Sequence, residues 1–181
     1  MIRHDLFPTP VWHIEGEIPQ QLIDELYQGA YRFKERCPSE NRSNEGGYQT
    51  PAFEWNKFHP QGKECIENIA SQCIKEPIKG DSWWYNINGK GTWNTPHVHT
   101  GVEFALVLYL TDSNGLLKLM NPFSMRMDNN DNVSRLLNRG DYYSVDAQKG
   151  DIIIFPGDLV HYVIPNPREE DRISISVNLL L

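Results

Sequence analysis

The sequence predicts a mainly β chain with some α: a sheet sandwich or jelly roll, with two helices packed on one face. Three observations carry this. From Ser82 onward the chain breaks into eight short β-rich runs separated by Gly, Asn, Asp and Pro. Two stretches with apolar residues at helical spacing precede them. A length of 181 residues at 39% hydrophobic suits one globular domain with one sizeable core. The expected division is a single domain, 1–181, with a helical preamble over about 1–80 and a sheet core over about 81–181.

Taken in order, "LFPTPVWHIEG" reads as an extended arm whose prolines suit an edge strand. "PQQLIDELYQGAYRFKER" then places Leu22, Ile23, Leu26, Ala30 and Phe33 on one helical face, with Pro19 in the first turn. "NRSNEGGYQTPAF" is a polar, glycine-bearing loop. A second helix around "GKECIENIASQCIKE" stops before Pro77. The strand runs follow: "SWWYNIN", "PHVH", "EFALVLYL", "GLLKLM", "YYSVD", "GDIIIFP", "LVHYVIP" and "RISISVNLL". In the last, Ile173, Ile175, Val177 and Leu179 alternate with Arg172, Ser174, Ser176 and Asn178. The apolar row packs on a core. The polar row is either a solvated outer face or, in a jelly roll, a lining for the lumen.

Composition excludes several classes. The formal charge is −7, and the basic residues form no stripe able to track a phosphate backbone, so no non-specific nucleic-acid binding is expected. No run of 18 apolar residues occurs and the N-terminus lacks the apolar core of a signal peptide, so no membrane association is expected. Three cysteines, Cys37, Cys65 and Cys73, fit neither a zinc knuckle nor a CxxC pair. A reducing, cytoplasmic setting is the default.

Chemistry is concentrated in the histidines. In "NTPHVHT", His97 and His99 stand two residues apart, so an extended strand would project both imidazoles from one face. His161 follows a turn, an apolar strand and a Pro-Gly-Asp turn on a returning strand. An HxH pair with a distant histidine is a common way to build a three-ligand metal face. Such a face suits Fe(II) with positions left for ligands, or Zn(II) with one water, and ligand count alone does not choose. His4, His13 and His59 stand alone and read as surface or rim.

Arg172 and Ser174, shortly after His161, resemble the RxS pattern of the Fe(II)/2-oxoglutarate-dependent oxygenases. A planar guanidinium grips a carboxylate bidentately and a hydroxyl adds a donor. The competing reading for Arg172 is a surface ion pair with the acids of "REED". The resemblance extends to the HxH-bearing branch of 2-oxoglutarate–Fe(II) oxygenases through the "LFPTPVW" arm, "GGYQT", "WYNINGKGTWNTPHVH", "LVLYL", "GDIIIFPGDLVHYVIPN" and "RISISVN". It implies a double-stranded β-helix (jelly roll) preceded by two buttressing helices. It also implies His97, His99 and His161 as iron ligands. Arg172, Ser174 and Tyr109 would hold the distal carboxylate of 2-oxoglutarate, with Tyr109 otherwise an ordinary core tyrosine. The implied activity is a dioxygenase, a hydroxylase using Fe(II), 2-oxoglutarate and O2 and releasing succinate and CO2. Its substrate is a small molecule or a peptide side chain.

One departure from the wider superfamily stands out: His99 occupies the place of the usual Asp or Glu. A neutral imidazole there leaves the site one unit more positive, which favours a dianionic co-substrate. A rival on the same fold is a cupin-type metalloenzyme using His97, His99, Glu103 and His161, without a role for Arg172. It lacks the glycine expected about seven residues after Glu103, which is absent until Gly115. A non-catalytic small-molecule-binding jelly roll is a third reading. It explains a polar lumen but not three histidines. The segments "GGYQTPAFEW" and "NPFSMRMDNNDNVSRLLNRG" have the length of lids, though their aromatics and Met equally suit covers for core.

Overall fold

The computed structural model describes residues 8–122 and 140–181. Among them are two α-helices, α1 (Gln20–Arg36) and α2 (Pro60–Ile74). The strands in the first half are β1 (Trp12–Ile14), β2 (Asn44–Glu45), β3 (Tyr48–Gln49), β4 (Phe53–Glu54), β5 (Lys79–Asn88) and β6 (Trp93–His97). Those in the second half are β7 (Phe104–Tyr109), β8 (Leu117–Met120), β9 (Tyr142–Val145), β10 (Ile152–Pro156), β11 (His161–Val163) and β12 (Arg172–Leu180). The segment expected to be a loop, 41–53, instead contributes β2, β3 and part of β4. Two-residue pairings leave no periodicity to read. The proposed lid at 121–140 lies almost wholly outside the described residues, as does His4.

The helices follow their sequence signals with shifted ends. Helix α1 buries Leu22, Ile23, Leu26, Gly29 and Ala30. Pro19 sits just before it rather than in its first turn: its backbone is extended and its carbonyl accepts the amide of Ile23 at 3.1 Å. Gly29 is needed for close approach, because a Cβ there would meet the Tyr85 hydroxyl at 2.6 Å. That hydroxyl donates to the Leu26 carbonyl at 3.0 Å and locks α1 onto β5. Helix α2 begins two residues earlier than expected, with Pro60 at its first position and His59 as cap. It ends at Lys75 in the left-handed conformation.

The strands form two antiparallel sheets. The larger runs β1-β10-β7-β12-β5-β3, with β4 also on β5; the smaller runs β2-β6-β11-β8-β9. On the helix side of the large sheet lies a core that includes Ile173, Ile175, Val177 and Leu179 of β12, all fully buried with α1 and α2 residues. Each such side chain contributes about 1.5–3 kcal/mol by leaving water. A second core lies between the sheets, built from Ala105, Val107, Tyr109, Ile153 and Phe155 against Leu117, Leu119 and Val163. The polar row of β12 faces this inter-sheet space. Arg172, Ser174 and Ser176 are buried there, so of the two expectations for that row the lumen is correct.

Candidate metal centre

The small sheet brings two of the three histidines together by register. His97 ends β6 and His161 begins β11, and the two are direct partners across the antiparallel pair. Their ring centroids lie 4.2 Å apart. His99 arrives differently. The strand stops at His97, so His99 lies two residues beyond its end instead of on the same extended run. Its backbone amide donates to the Gly157 carbonyl at 2.8 Å, and the Gly157 amide donates to the Glu103 carbonyl at 3.0 Å. The two chains run so close that a Cβ on Gly157 would meet the Val102 carbonyl at 2.6 Å. The Pro-Gly-Asp turn therefore clamps the segment carrying His99.

All three rings are oriented alike. Nδ1 of His97 faces the Thr95 carbonyl at 2.7 Å, and Nδ1 of His161 faces the Leu159 carbonyl at 2.9 Å. Nδ1 of His99 faces Oδ1 of Asn178 at 2.7 Å. Each Nδ1 carries its proton toward an acceptor, leaving each Nε2 lone pair free. One ligating atom from each ring lies within 4.8 Å of the others, and no other group of metal-ligating side chains of this kind exists among the described residues.

Burial keeps the cluster neutral. It lowers the pKa of His97, takes His99 down to about 4 and His161 to about 3, and neighbouring imidazoles push the latter two the same way. Three neutral imidazoles with converging lone pairs are ready to accept a divalent cation without first losing a proton.

The lumen holds a second cluster. Arg172 is 4% exposed, and its Nη1 donates to Oδ1 of Asn88 at 3.0 Å. Nδ2 of Asn88 donates to Oδ1 of Asn94 at 3.1 Å, and Nδ2 of Asn94 to the Ser43 hydroxyl at 3.2 Å. The guanidinium lies over the Tyr109 ring, 5.3 Å from its centroid. Nε of Arg172 and the Tyr109 hydroxyl are both buried without a hydrogen-bond partner. An unpaired buried donor on a cation costs about 1–3 kcal/mol or more, so the pair is set to receive an anionic acceptor. The acids of "REED" do not hold Arg172; Glu169 pairs with Lys90 instead. Ser174 lines the same cavity as Arg172, which also takes in the three histidines, Trp84, Asn86 and Ser176.

Other expectations sort by the same geometry. Glu103 is exposed, accepts the Leu181 amide at 3.2 Å and stands apart from the histidine group, so the four-ligand cupin set is not assembled. His13 is not idle at the rim: it pairs with Asp151 at 2.9 Å. His59 caps α2 and lies 3.2 Å from Glu25. The site contacts of Asn88 and Asn178 escaped sequence reading because each acts on a residue about eighty positions away, 84 and 79 respectively, and asparagine is otherwise a turn residue.

A protein-family model described as "Putative 2OG-Fe(II) oxygenase" matches residues 82–178. No curated protein sequence matches the chain. Among solved structures, AviO1 from Streptomyces viridochromogenes Tue57 superposes with a TM-score of 0.68 at 20% identity, over 96% of this chain and 90% of that one. A prolyl-4-hydroxylase from Pseudomonas putida gives 0.68 at 16% identity, over 97% and 95%. HygX from Streptomyces hygroscopicus, determined with nickel, 2-oxoglutarate and hygromycin B bound, gives 0.64 at 12% identity, over 94% and 82%.

Proposed function

The chain belongs to the 2OG-Fe(II) oxygenase family and is an Fe(II)- and 2-oxoglutarate-dependent oxygenase, and from that premise we propose roles for its residues. His97, His99 and His161 hold Fe(II) through Nε2. Arg172 and Tyr109 take the distal carboxylate of 2-oxoglutarate, and Ser174 adds a hydroxyl beside it. The observation that carries this reading is a pair of complementary features. Three neutral imidazoles that could hold a cation share a cavity with Arg172, whose Nε, like the hydroxyl of the Tyr109 ring beside it, is a buried donor without an acceptor among the described residues.

Bound Fe(II), 2-oxoglutarate and O2 together supply the oxidising chemistry, with 2-oxoglutarate leaving as succinate and CO2. The protein's own part is orientation and shielding. Asn88 holds Nη1 of the guanidinium, leaving Nε as a donor for a carboxylate. Trp84 packs against His99 at 5.3 Å and Phe155 against His161 at 4.8 Å, keeping water from the rings. The outcome we assign is hydroxylation of a small molecule or peptide side chain. A reducing, cytoplasmic setting accords with three unpaired thiols, Cys37, Cys65 and Cys73. No helix among the described residues is long and apolar enough to cross a membrane.

Anaerobic reconstitution with Fe(II) followed by 2-oxoglutarate tests the reading. Chelation produces a visible charge-transfer band, and admitting O2 with candidate substrates produces succinate. A protein that binds Fe(II) but never shows the band would exclude the 2-oxoglutarate roles given to Arg172, Tyr109 and Ser174.

A further inference from the structure

We propose that Asn178 is the positioning residue of His99, supplying through one side-chain hydrogen bond the direction that β-sheet register supplies to the other two histidines. The proposal rests on the reading of His99 as a metal ligand. His97 and His161 sit on paired strands, and each ring is steadied by a backbone carbonyl two residues before it, Thr95 and Leu159. His99 has neither aid. It lies past the end of β6, and among the described residues its ring meets a side chain rather than a backbone carbonyl. Its acceptor is a side chain on the other sheet, Oδ1 of Asn178 on β12, at 2.7 Å.

The amide is itself held. Its Nδ2 donates to the Ser82 hydroxyl on β5 at 3.0 Å, directly across the β5–β12 pair. Ser82 can accept or donate, so it does not dictate which way the amide points. The imidazole does. If Nε2 of His99 is to ligate a metal, Nδ1 must carry the proton, and only Oδ1 can receive it. The chain Ser82–Asn178–His99 thus accommodates the ligating tautomer and aims the ring from the opposite sheet.

The choice of amide over carboxylate also sets charge. An aspartate at 178 would draw the Nδ1 proton and make the imidazole more electron-rich, partly restoring the anion that the wider superfamily carries at the middle ligand. Asparagine keeps all three ligands neutral. Position 178 is therefore a point where a substitution outside the ligand set can tune the metal. Among the three outer acceptors, it is the only one a substitution can remove, because the others are main-chain carbonyls.

The test uses the full chain loaded with Co(II) alone, a paramagnetic probe for the Fe(II) site. Each ligating imidazole keeps one N–H, so wild type should give three solvent-exchangeable, strongly shifted proton resonances. His99→Ala should give two; if three remain, His99 is not a ligand and the underlying reading fails. Asn178→Leu should weaken Co(II) by about 10–100-fold and lose one exchangeable resonance to rapid solvent exchange. Asn178→Asp, which can keep both hydrogen bonds once the Ser82 hydroxyl turns to donate, should retain three resonances and at least wild-type affinity. With Fe(II) and 2-oxoglutarate under nitrogen it should move the charge-transfer band to lower energy. Two resonances in His99→Ala but wild-type behaviour in Asn178→Leu would overturn the positioning role alone. So would an Asn178→Asp variant as impaired as Asn178→Leu.

Discussion

The two faces of β12 are buried almost equally and are built on opposite terms. Ile173, Ile175, Val177 and Leu179 meet the helices, and every one is sealed from solvent in the larger core. Arg172, Ser174 and Ser176, one residue out of phase, are nearly as inaccessible but face the lumen. The apolar face is complete in itself. The polar face is not, because Arg172 Nε and the neighbouring Tyr109 hydroxyl have no partner among the described residues. Burial alone does not mark a site. Nor does one unfilled donor, since the Trp83 indole N–H in the helix-side core is another; an unfilled donor on a buried cation that shares a cavity with three histidines does.

That contrast can be broken most sharply at the metal. His97→Ala or His161→Ala should weaken Fe(II) by more than the about 100-fold expected for losing an outer hydrogen-bond partner, while the fold persists. His13→Ala and His59→Ala should leave affinity intact. Calorimetric titration under nitrogen checks all four, and wild-type binding by His161→Ala would undo the triad.

Next in size is a paired comparison along the strand. Ile175→Ala should cost about 2–5 kcal/mol of folding stability and leave ligand binding unchanged in the folded fraction. Arg172→Leu should do the reverse, costing about 2–5 kcal/mol of 2-oxoglutarate binding with stability held or raised, since an uncompensated buried cation is removed. Denaturant melts and titration of the charge-transfer band separate the two. If Arg172→Leu unfolded as readily as Ile175→Ala, the polar face would be a structural element.

A smaller effect follows pH. His99 and His161 have folded pKa values of about 4 and about 3, below the ordinary 6.5. Between those values the unfolded chain binds protons that the folded chain refuses. Metal-free protein should therefore hold its full stability above about pH 6.5 and lose it as pH falls through 4 toward 3. Denaturation at pH 7, 5.5 and 4.5, with His161→Ala as control, reads this slope. At pH 7 the same neutrality means metal binding releases no proton, so its calorimetric enthalpy should agree between two buffers of different ionisation heat. The smallest effect is expected at Glu103→Gln, which should leave the iron and the charge-transfer band untouched; loss of iron there would restore the cupin arrangement.

Legibility in the sequence followed the range of the interactions. Strand β12 was readable to the residue, because alternation over 172–180 is a local pattern. The gathering of His97, His99, His161 and Arg172 around one cavity was readable from short motifs. The mode of presentation of His99 was not, since the end of β6 is set by the Gly157 turn pressing on the 99–102 segment, a contact between distant parts of the chain. Asn88, and the contact that Asn178 of the polar row makes with His99, were invisible for the same reason. Their meaning lies in cross-sheet register, which no local spacing encodes.

The short strands at the margins of the large sheet bear on how the protein behaves in a crowded solution. Strand β1 covers one side of β10 with three residue pairs, and β3 and β4 close the far side of β5 with two each. Without β1, the run Ile152-Ile153-Ile154-Phe155 would present an open row of backbone donors and acceptors with high β propensity and no charge. That is the composition of a fibril-forming segment. The arm thus acts as a selvedge on the woven sheet, and a chain cut back beyond Ile14 would be prone to stack edge to edge into insoluble assemblies before its chemistry could be measured.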